Sequence, residues 1–536
     1  MILSSTVLAD SARKYSRDLI GVALITLAIA FAFQGSRGLW EPDEGYFGAT
    51  AVEMYDGGDW LIPHLHGDAY PEKPPLMYWG MVAGMKILGR NEWGMRAFYA
   101  ICFALTSLFV MLTAKSMWGR REAVLAGIMH GTMILPVIGG FCARPDSPLA
   151  LCTTASLYCF WRSLDENPGK AVLWKMLMCV AFGFGFLAKG PATLVPALPM
   201  FIYLLIYGKT LRYFLTPWAV VGAAIFLAIG FTWYWVIAQR LPGAAAYCWD
   251  NQVLGRLVST KYRRNPGLWA GVKLYMPDLL GGALPWVLIW PVLAWRSKKS
   301  PHGGKFWPAL KKRPALVLVM LWAFVQFAVL MAATSKLPLY LLPMFPALAL
   351  LTARFWVLYR PLFHSREVTR GLWTGIAMWA ILLVTAKGVA AYKIHPYNDG
   401  RQLWRELEPK LPADCNTILI LNDNMNGLTL YTSKTIENVA IGDHYYPIFV
   451  PPKQVNDAVA AAVGPGRSCA IISKVGNRAA NPDGSKGAGS KLTLENMRAL
   501  LAAAHVDFQE LAMPFKRTVF LCKAKAAAPA GSYTPK

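Results

Sequence analysis

Repeated runs of about twenty apolar residues dominate this chain, and they leave it few folds to choose from. They lie near 18–36, 95–114, 121–139, 146–163, 171–187, 191–207, 213–238, 273–295, 314–333, 337–356 and 371–391. A helix of that length satisfies its own backbone hydrogen bonds inside hydrocarbon, where irregular loops and open sheet edges do not survive. The runs therefore predict a mainly α, polytopic membrane protein with about eleven transmembrane helices. Composition agrees: 55% of the 536 residues are hydrophobic and 16% are charged, against roughly a quarter charged in soluble domains. No A-x-A site follows the first run, so it reads as retained rather than cleaved.

The formal net charge of +24 raises the question of nucleic acid. However, the basic residues sit between apolar runs and form no stripe with interleaved aromatics. Their distribution is topogenic. Arg13, Lys14 and Arg17 precede the first run, and alternate loops carry Lys115, Arg120 and Arg121; Arg162 and Lys170; Lys209 and Arg212; then the basic cluster at 296–313 and Arg354 to Arg370. The short intervening loops hold single basic residues, Arg144, Lys189 and Lys336. By the positive-inside rule the amino terminus is cytoplasmic, and 37–94, 239–272 and everything after 391 lie outside the cytoplasm.

Beyond 391 the character changes. Runs at 417–422, 437–441 and 469–475 read as strands, while 453–463 and 492–505 read as helices. The division is thus 1–391 as the membrane part, 392–525 as a small extracytoplasmic α/β domain, and 526–536 as a disordered tail. Internal repeats are not apparent. None of the nine cysteines forms a CxxC motif, and most lie within apolar runs as small hydrophobes. Cys415, Cys469 and Cys522 fall in the polar region, where one disulfide is open.

The first outer loop concentrates unusual residues. EPDEGYF (41–47) places Asp43 and Glu44 just after the first run, and YPEKPP (70–75) sets Tyr70 beside the Glu72–Lys73 pair, which Pro74 and Pro75 stiffen. His64 and His66 form an H-x-H with no third ligand, so no metal site is expected there. Other outer ends repeat the theme: Arg144 and Asp146 in ARPD, Lys189 in AKGPA, Asn251 and Arg256 in the large loop, Lys336 and Tyr340 in SKLPLYLLP. Each alone reads equally as an interfacial, snorkelling residue. Together, carboxylates and cations on one side of a membrane suit a phosphate on a lipid carrier, held by Lys and Arg beside a carboxylate that orients or deprotonates an acceptor.

The stretch from Asp43 to Trp79, with its acidic pair, GDW-x-x-P-H turn and Y-x-E-K-P motif, resembles the bacterial branch of the dolichyl-phosphate-mannose protein mannosyltransferase superfamily, which includes the lipid A aminoarabinose transferases. LAKGPATLVPALP (187–199) and TSKLPLYLLPMFPALALL (334–351) extend the resemblance, in the same order, over about 40–351. It implies a GT-C glycosyltransferase that moves a sugar, with inversion, from polyprenyl (undecaprenyl) phosphate to an envelope acceptor on the periplasmic face. Carried over by position, Asp43, Glu44 and Asp146 take catalytic places. Tyr70, Glu72, Lys73, Arg256, Lys336 and Tyr340 take the donor phosphate, supported by Arg144, Lys189 and Asn251. The donor lipid and an acceptor, lipid A or another glycolipid, are the implied partners beside membrane lipids. No cofactor is fixed, and a divalent cation at the acidic pair is left open. Tyr46-Phe47 stand where the aminoarabinose transferases have Arg-Tyr, and Asn251 where His is common, so sugar and acceptor stay open. Protein O-glycosylation is the alternative acceptor chemistry, and a transporter or flippase of lipid-linked sugars, or a non-catalytic envelope assembly protein, the alternatives of other classes.

Overall fold

The computed structural model describes residues 5–165, 167–250, 264–298, 310–358, 366–394, 398–421, 423–441, 449–474, 478–480, 486–491, 493–514 and 517–525. The expected site residues Asn251 and Arg256 lie outside them. Two compact units emerge: Met1–Ser36 with Pro71–Ile394, and Arg37–Tyr70 with His395–Lys536. The later boundary falls close to the expected cut at 391. Residues 37–70, expected as a loop of the membrane part, group instead with the carboxy-terminal unit.

The first unit is helical and multi-pass. Glu92–Met117, Pro168–Leu194, Pro314–Ala332, Pro338–Leu358 and Trp373–Lys393 are each long and apolar enough to cross a membrane. Three more runs qualify as bent pairs: Arg120–Thr132 with Ile134–Phe141 (59°), Pro217–Gly230 with Thr232–Arg240 (45°), and Leu268–Gly282 with Trp286–Trp295 (91°). Proline explains two of the bends. Pro136 has no N–H for Thr132, four residues back, and Pro285 interrupts the third pair. By length and composition alone, five helices among the described residues qualify as spans, or eight if each bent pair is one span. The remaining three runs are helical but shorter or more charged. The run at 191–207 breaks into the 3-10 turn Gly190–Leu194 and the helix Ala197–Ile206, because prolines recur at 191, 196 and 199. Asp146–Arg162 has 17 residues. Ser5–Phe31 carries Arg13, Lys14, Arg17 and Asp18 in its first half.

Two buried cations in this unit are matched to backbone carbonyls. The Lys387 ammonium donates to the carbonyls of Ile29 (3.0 Å) and Ala30 (2.8 Å), closing the end of the first helix. Arg96, fully buried, donates to the Gln34 carbonyl at 2.8 Å. A carbonyl freed at a helix end in hydrocarbon would otherwise cost several kcal/mol, on the order of a lost hydrogen bond with no water to replace it.

The second unit opens with the helix Asp43–Tyr55 and a hairpin of β1 (His64–Leu65) and β2 (Asp68–Ala69). Its two turn residues, His66 and Gly67, have φ of 57° and 82°, the left-handed pair that a two-residue hairpin requires. The sheet that follows comprises β3 (Cys415–Leu421), β4 (Thr435–Ala440), β5 (Lys453–Gln454) and β6 (Ser468–Ser473), a separate hairpin of β7 (Arg478–Ala480) and β8 (Lys486–Lys491), then β9 (Val506–Met513) and β10 (Arg517–Ala524). Spatial order is β5-β4-β3-β6-β10-β9. The β5-β4-β3-β6 part is parallel and the β6-β10-β9 part antiparallel. One face buries Met497 and Leu501 of the helix Leu494–Ala503 and Val455 and Val459 of Val455–Ala462; the other buries Leu403, Trp404 and Leu407. Burial on both faces accounts for the fully buried β6 sequence SCAIIS, which lacks polar alternation. Cys469 and Cys522 stand opposite one another across β6 and β10; they and Cys415 are free thiols.

Candidate functional site

A cavity of about 440 Å³ opens in the first unit, walled mostly by apolar side chains such as Leu149, Leu194, Val329 and Leu330. Three chain segments bring charge to it. The first is Pro71–Pro74, where the Lys73 ammonium donates to the Glu72 carboxylate at 3.0 Å and is itself buried. Pro74 and Pro75 limit the backbone there, and the helix Leu76–Leu88 starts immediately after. The second is the start of Asp146–Arg162, where Asp146 occupies the first helical turn. The third is the end of Pro168–Lys189, where Lys189 is the last residue.

Asp146 and Lys189 form an ion pair. Helix polarity favours both partners, since a carboxylate is stabilised at an N-terminus and an ammonium at a C-terminus. Gly190 lets the chain turn away directly after Lys189: its φ is +60°, and a Cβ there would meet the Tyr234 hydroxyl at 2.9 Å. The Lys189 ammonium also lies over the Tyr340 ring, 4.1 Å from its centroid, a cation–π contact that holds the charge in place. Tyr340 is set by the 3-10 segment Pro338–Met344. Glu72, Lys73, Asp146, Lys189 and Tyr340 thus meet at one cavity. Chemically the arrangement offers two ammonium groups, each oriented by a carboxylate, at the edge of an apolar pocket. That combination suits an anionic headgroup on a hydrocarbon tail.

Other expected residues lie elsewhere. The Lys336 ammonium donates to the carbonyl of Ala333 at 2.5 Å, and its stem packs against Gly271; it closes the end of Pro314–Ala332 and is not among the residues lining the cavity. Arg144 is half-buried in the turn before Asp146 and is likewise outside the lining.

Asp43, Glu44 and Tyr70 belong to the second unit. Glu44 is buried, and both its oxygens are engaged: Oε2 by Arg37 at 2.5 Å and by the Trp40 N–H at 3.0 Å, Oε1 by Arg37 at 3.0 Å. Arg37 also lies 4.1 Å from the Trp40 ring centroid. Glu44 therefore fastens the entry to the helix Asp43–Tyr55, while Asp43, one residue earlier, is half-exposed at its first position. Tyr70 is buried and stacked on Tyr46, with ring centroids 6.1 Å apart and planes 9° from parallel. Burial lowers the pKa of His66, and one ring nitrogen lies 2.7 Å from Asn426 Oδ1. Among the described residues, no three His, Cys, Asp or Glu are placed to hold a metal ion.

Two features were missed in the sequence. Glu41, the outer acid of EPDE, is 5% exposed; its Oε1 accepts the Gly427 N–H at 2.5 Å, and burial pushes its pKa well above the usual carboxylate range. A third acid in that motif was the available signal. Gln326, Trp233, Tyr234 and Cys248 line the cavity, but they sit in apolar runs without any marker of their role.

Residues 72–235 match the family model described as dolichyl-phosphate-mannose-protein mannosyltransferase. The chain is 30% identical over 345 residues to an undecaprenyl phosphate-alpha-4-amino-4-deoxy-L-arabinose arabinosyl transferase of Yersinia enterocolitica, covering 62% of this chain and 59% of that one. In shape it is similar to the crystal structure of ArnT from Cupriavidus metallidurans bound to undecaprenyl phosphate, with a TM-score of 0.71 over 94% of this chain and 97% of that chain at 19% identity. The sequence similarity covers part of the chain, and the structural similarity extends the likeness in fold over nearly all of it. A second relative of that name, from Proteus mirabilis, is 28% identical over 63% of this chain and 60% of its own length. The chain thus spans about three fifths of the curated relatives it matches. The family-model match begins at Glu72, the first residue of the cavity's ion pairs.

Proposed function

We propose that this chain is an inverting glycosyltransferase that moves a sugar, 4-amino-4-deoxy-L-arabinose or a close analogue, from undecaprenyl phosphate to lipid A or a related envelope glycolipid. The observation that carries the reading is the joint presence of the Glu72–Lys73 and Asp146–Lys189 pairs on one apolar-walled cavity. Breaking the sugar–phosphate bond leaves a second negative charge on the carrier phosphate. Two preset ammoniums in a low-dielectric setting stabilise that charge more than they stabilise the monoanionic diester, which lowers the barrier. The apolar wall takes the first isoprene units.

Asp43 keeps the acceptor role implied by the family resemblance. An ionised carboxylate at the head of a helix is stabilised in that form, and with a hydroxyl acceptor it serves as general base. With a lipid phosphate acceptor it orients the nucleophile. The acidic pair makes a poor cation site on this reading, because Arg37 and the Trp40 N–H already engage both Glu44 oxygens. The alternation of Lys and Arg between the apolar runs supports a cytoplasmic amino terminus and a periplasmic second unit in the inner membrane.

Mass spectrometry of lipid A and of total envelope glycopeptides, from cells with and without the protein, tests this. Loss of an aminopentose from lipid A is expected. Unchanged lipid A with altered glycopeptides would overturn the acceptor assignment in favour of protein O-glycosylation.

A further inference from the structure

Among the polar groups that line the cavity outside the two ion pairs, Gln326 is the side-chain amide. Gln326 lies in the apolar helix Pro314–Ala332, is 4% exposed, and lines the cavity. Its Oε1 accepts from the indole Nε1 of Trp322 at 3.1 Å. An indole N–H only donates, so this bond fixes the amide: the carbonyl end must face Trp322, and the NH2 end must face away from it. That Nε2 has no hydrogen-bond partner among the described residues.

An amide NH2 held in an apolar site without an acceptor costs roughly the desolvation of the group, about 1–3 kcal/mol. Val329, Leu330 and Ala333, which follow Gln326 in the cavity lining, offer no side-chain acceptor. The hydrocarbon of a polyprenyl tail offers none either. An occupant that displaces water from this part of the cavity keeps the amide paired only if it brings an oxygen to it.

We infer that Gln326 is a specificity-determining residue whose Nε2 donates a hydrogen bond to an oxygen of the phosphate–sugar headgroup of the lipid carrier. This deepens the proposed function and rests on it. The contact distinguishes a headgroup seated in the cavity from a bare hydrocarbon tail, which would leave the amide unpaired. Trp322 acts behind it as a positioning residue. Its Nε1 also donates to the Pro343 carbonyl at 3.1 Å, so it stays partnered when Gln326 is replaced.

The test uses the full-length protein in nanodiscs, with undecaprenyl phosphate and the corresponding undecaprenol, which lacks the phosphate, as probes. Wild type should bind the phosphate in preference to the alcohol; equal binding of both would overturn the proposed function itself. Given that preference, Gln326→Leu should weaken undecaprenyl phosphate binding on the order of tenfold, as loss of one hydrogen bond to a charged group implies, and leave undecaprenol unaffected. Gln326→Glu, which places a carboxylate before the phosphate, should weaken it further. If the phosphate binds normally to both variants but the sugar-loaded donor shows a raised KM, the contact is to the sugar and the inference stands in that form. Unchanged binding and unchanged donor KM, or a raised KM for the acceptor alone, would overturn it. Equal melting temperatures for the variants and wild type would show that binding, not folding, moved.

Discussion

Lys189, the last residue of one helix, is paired with Asp146, in the first turn of the helix before it. The pairing ties two helix ends together at the cavity and presents the ammonium beneath the Tyr340 ring. If Lys189 receives the carrier phosphate, Lys189→Met removes one charge-assisted contact. Binding of undecaprenyl phosphate should then weaken by about ten- to a hundredfold, from roughly 1.5–3 kcal/mol. Titration in nanodiscs checks this. Asp146→Leu alone should lower the melting temperature, because it strands a mostly buried ammonium. The double variant should recover stability but not binding.

The two acids of DEG separate cleanly by substitution. Glu44→Ala leaves Arg37 buried without its partner, which costs about 3–5 kcal/mol and should show as poor yield and early thermal unfolding. Asp43→Asn changes only a half-exposed helix-head residue, so the protein should fold normally and transfer no sugar. Near-normal turnover in Asp43→Asn would remove that residue from the mechanism.

Glu41 predicts a pH dependence of stability. Burial raises its folded-state pKa, and the nearby Asp423 carboxylate pushes in the same direction, while Gly427 opposes. A raised folded pKa means that the fold favours the protonated acid. Its contribution is therefore complete below the ordinary glutamate range, near 4.3, and is lost as pH rises toward the folded-state value. Glu41→Gln keeps an oxygen for the Gly427 N–H and cannot ionise. The variant should match wild type at low pH and exceed it increasingly as pH rises. Thermal unfolding across a pH series checks this, and parallel curves would contradict it.

Much of the helical unit was legible because apolar length is a direct demand of the bilayer, and the ion-pair residues were legible because charge beside hydrocarbon is costly enough to need a reason. Breaks within a span are harder to read. Pro191, Pro196 and Pro199 break one run into short pieces, and length alone does not register a break. Lys336 illustrates a second limit. Its position near Tyr340 suggests a phosphate contact, and its ammonium also bonds the Ala333 carbonyl, a local bond that charge patterning does not reveal. Tyr70 and Lys73 are three residues apart in sequence and were read together, but the division between the two units falls at Tyr70 and Pro71. Gln326 was invisible because one amide in an apolar run carries no pattern, and only the Trp322 bond gives it a direction.

The central claim is transfer from a polyprenyl phosphate carrier, and the most direct measurement is reconstitution. Purified protein in proteoliposomes, given undecaprenyl phosphate-linked aminoarabinose and lipid A, should yield glycosylated lipid A with the anomeric configuration inverted. Lys73→Met should abolish the reaction in protein that remains folded. Absence of product with the wild-type protein, or undiminished product with Lys73→Met, would contradict the account.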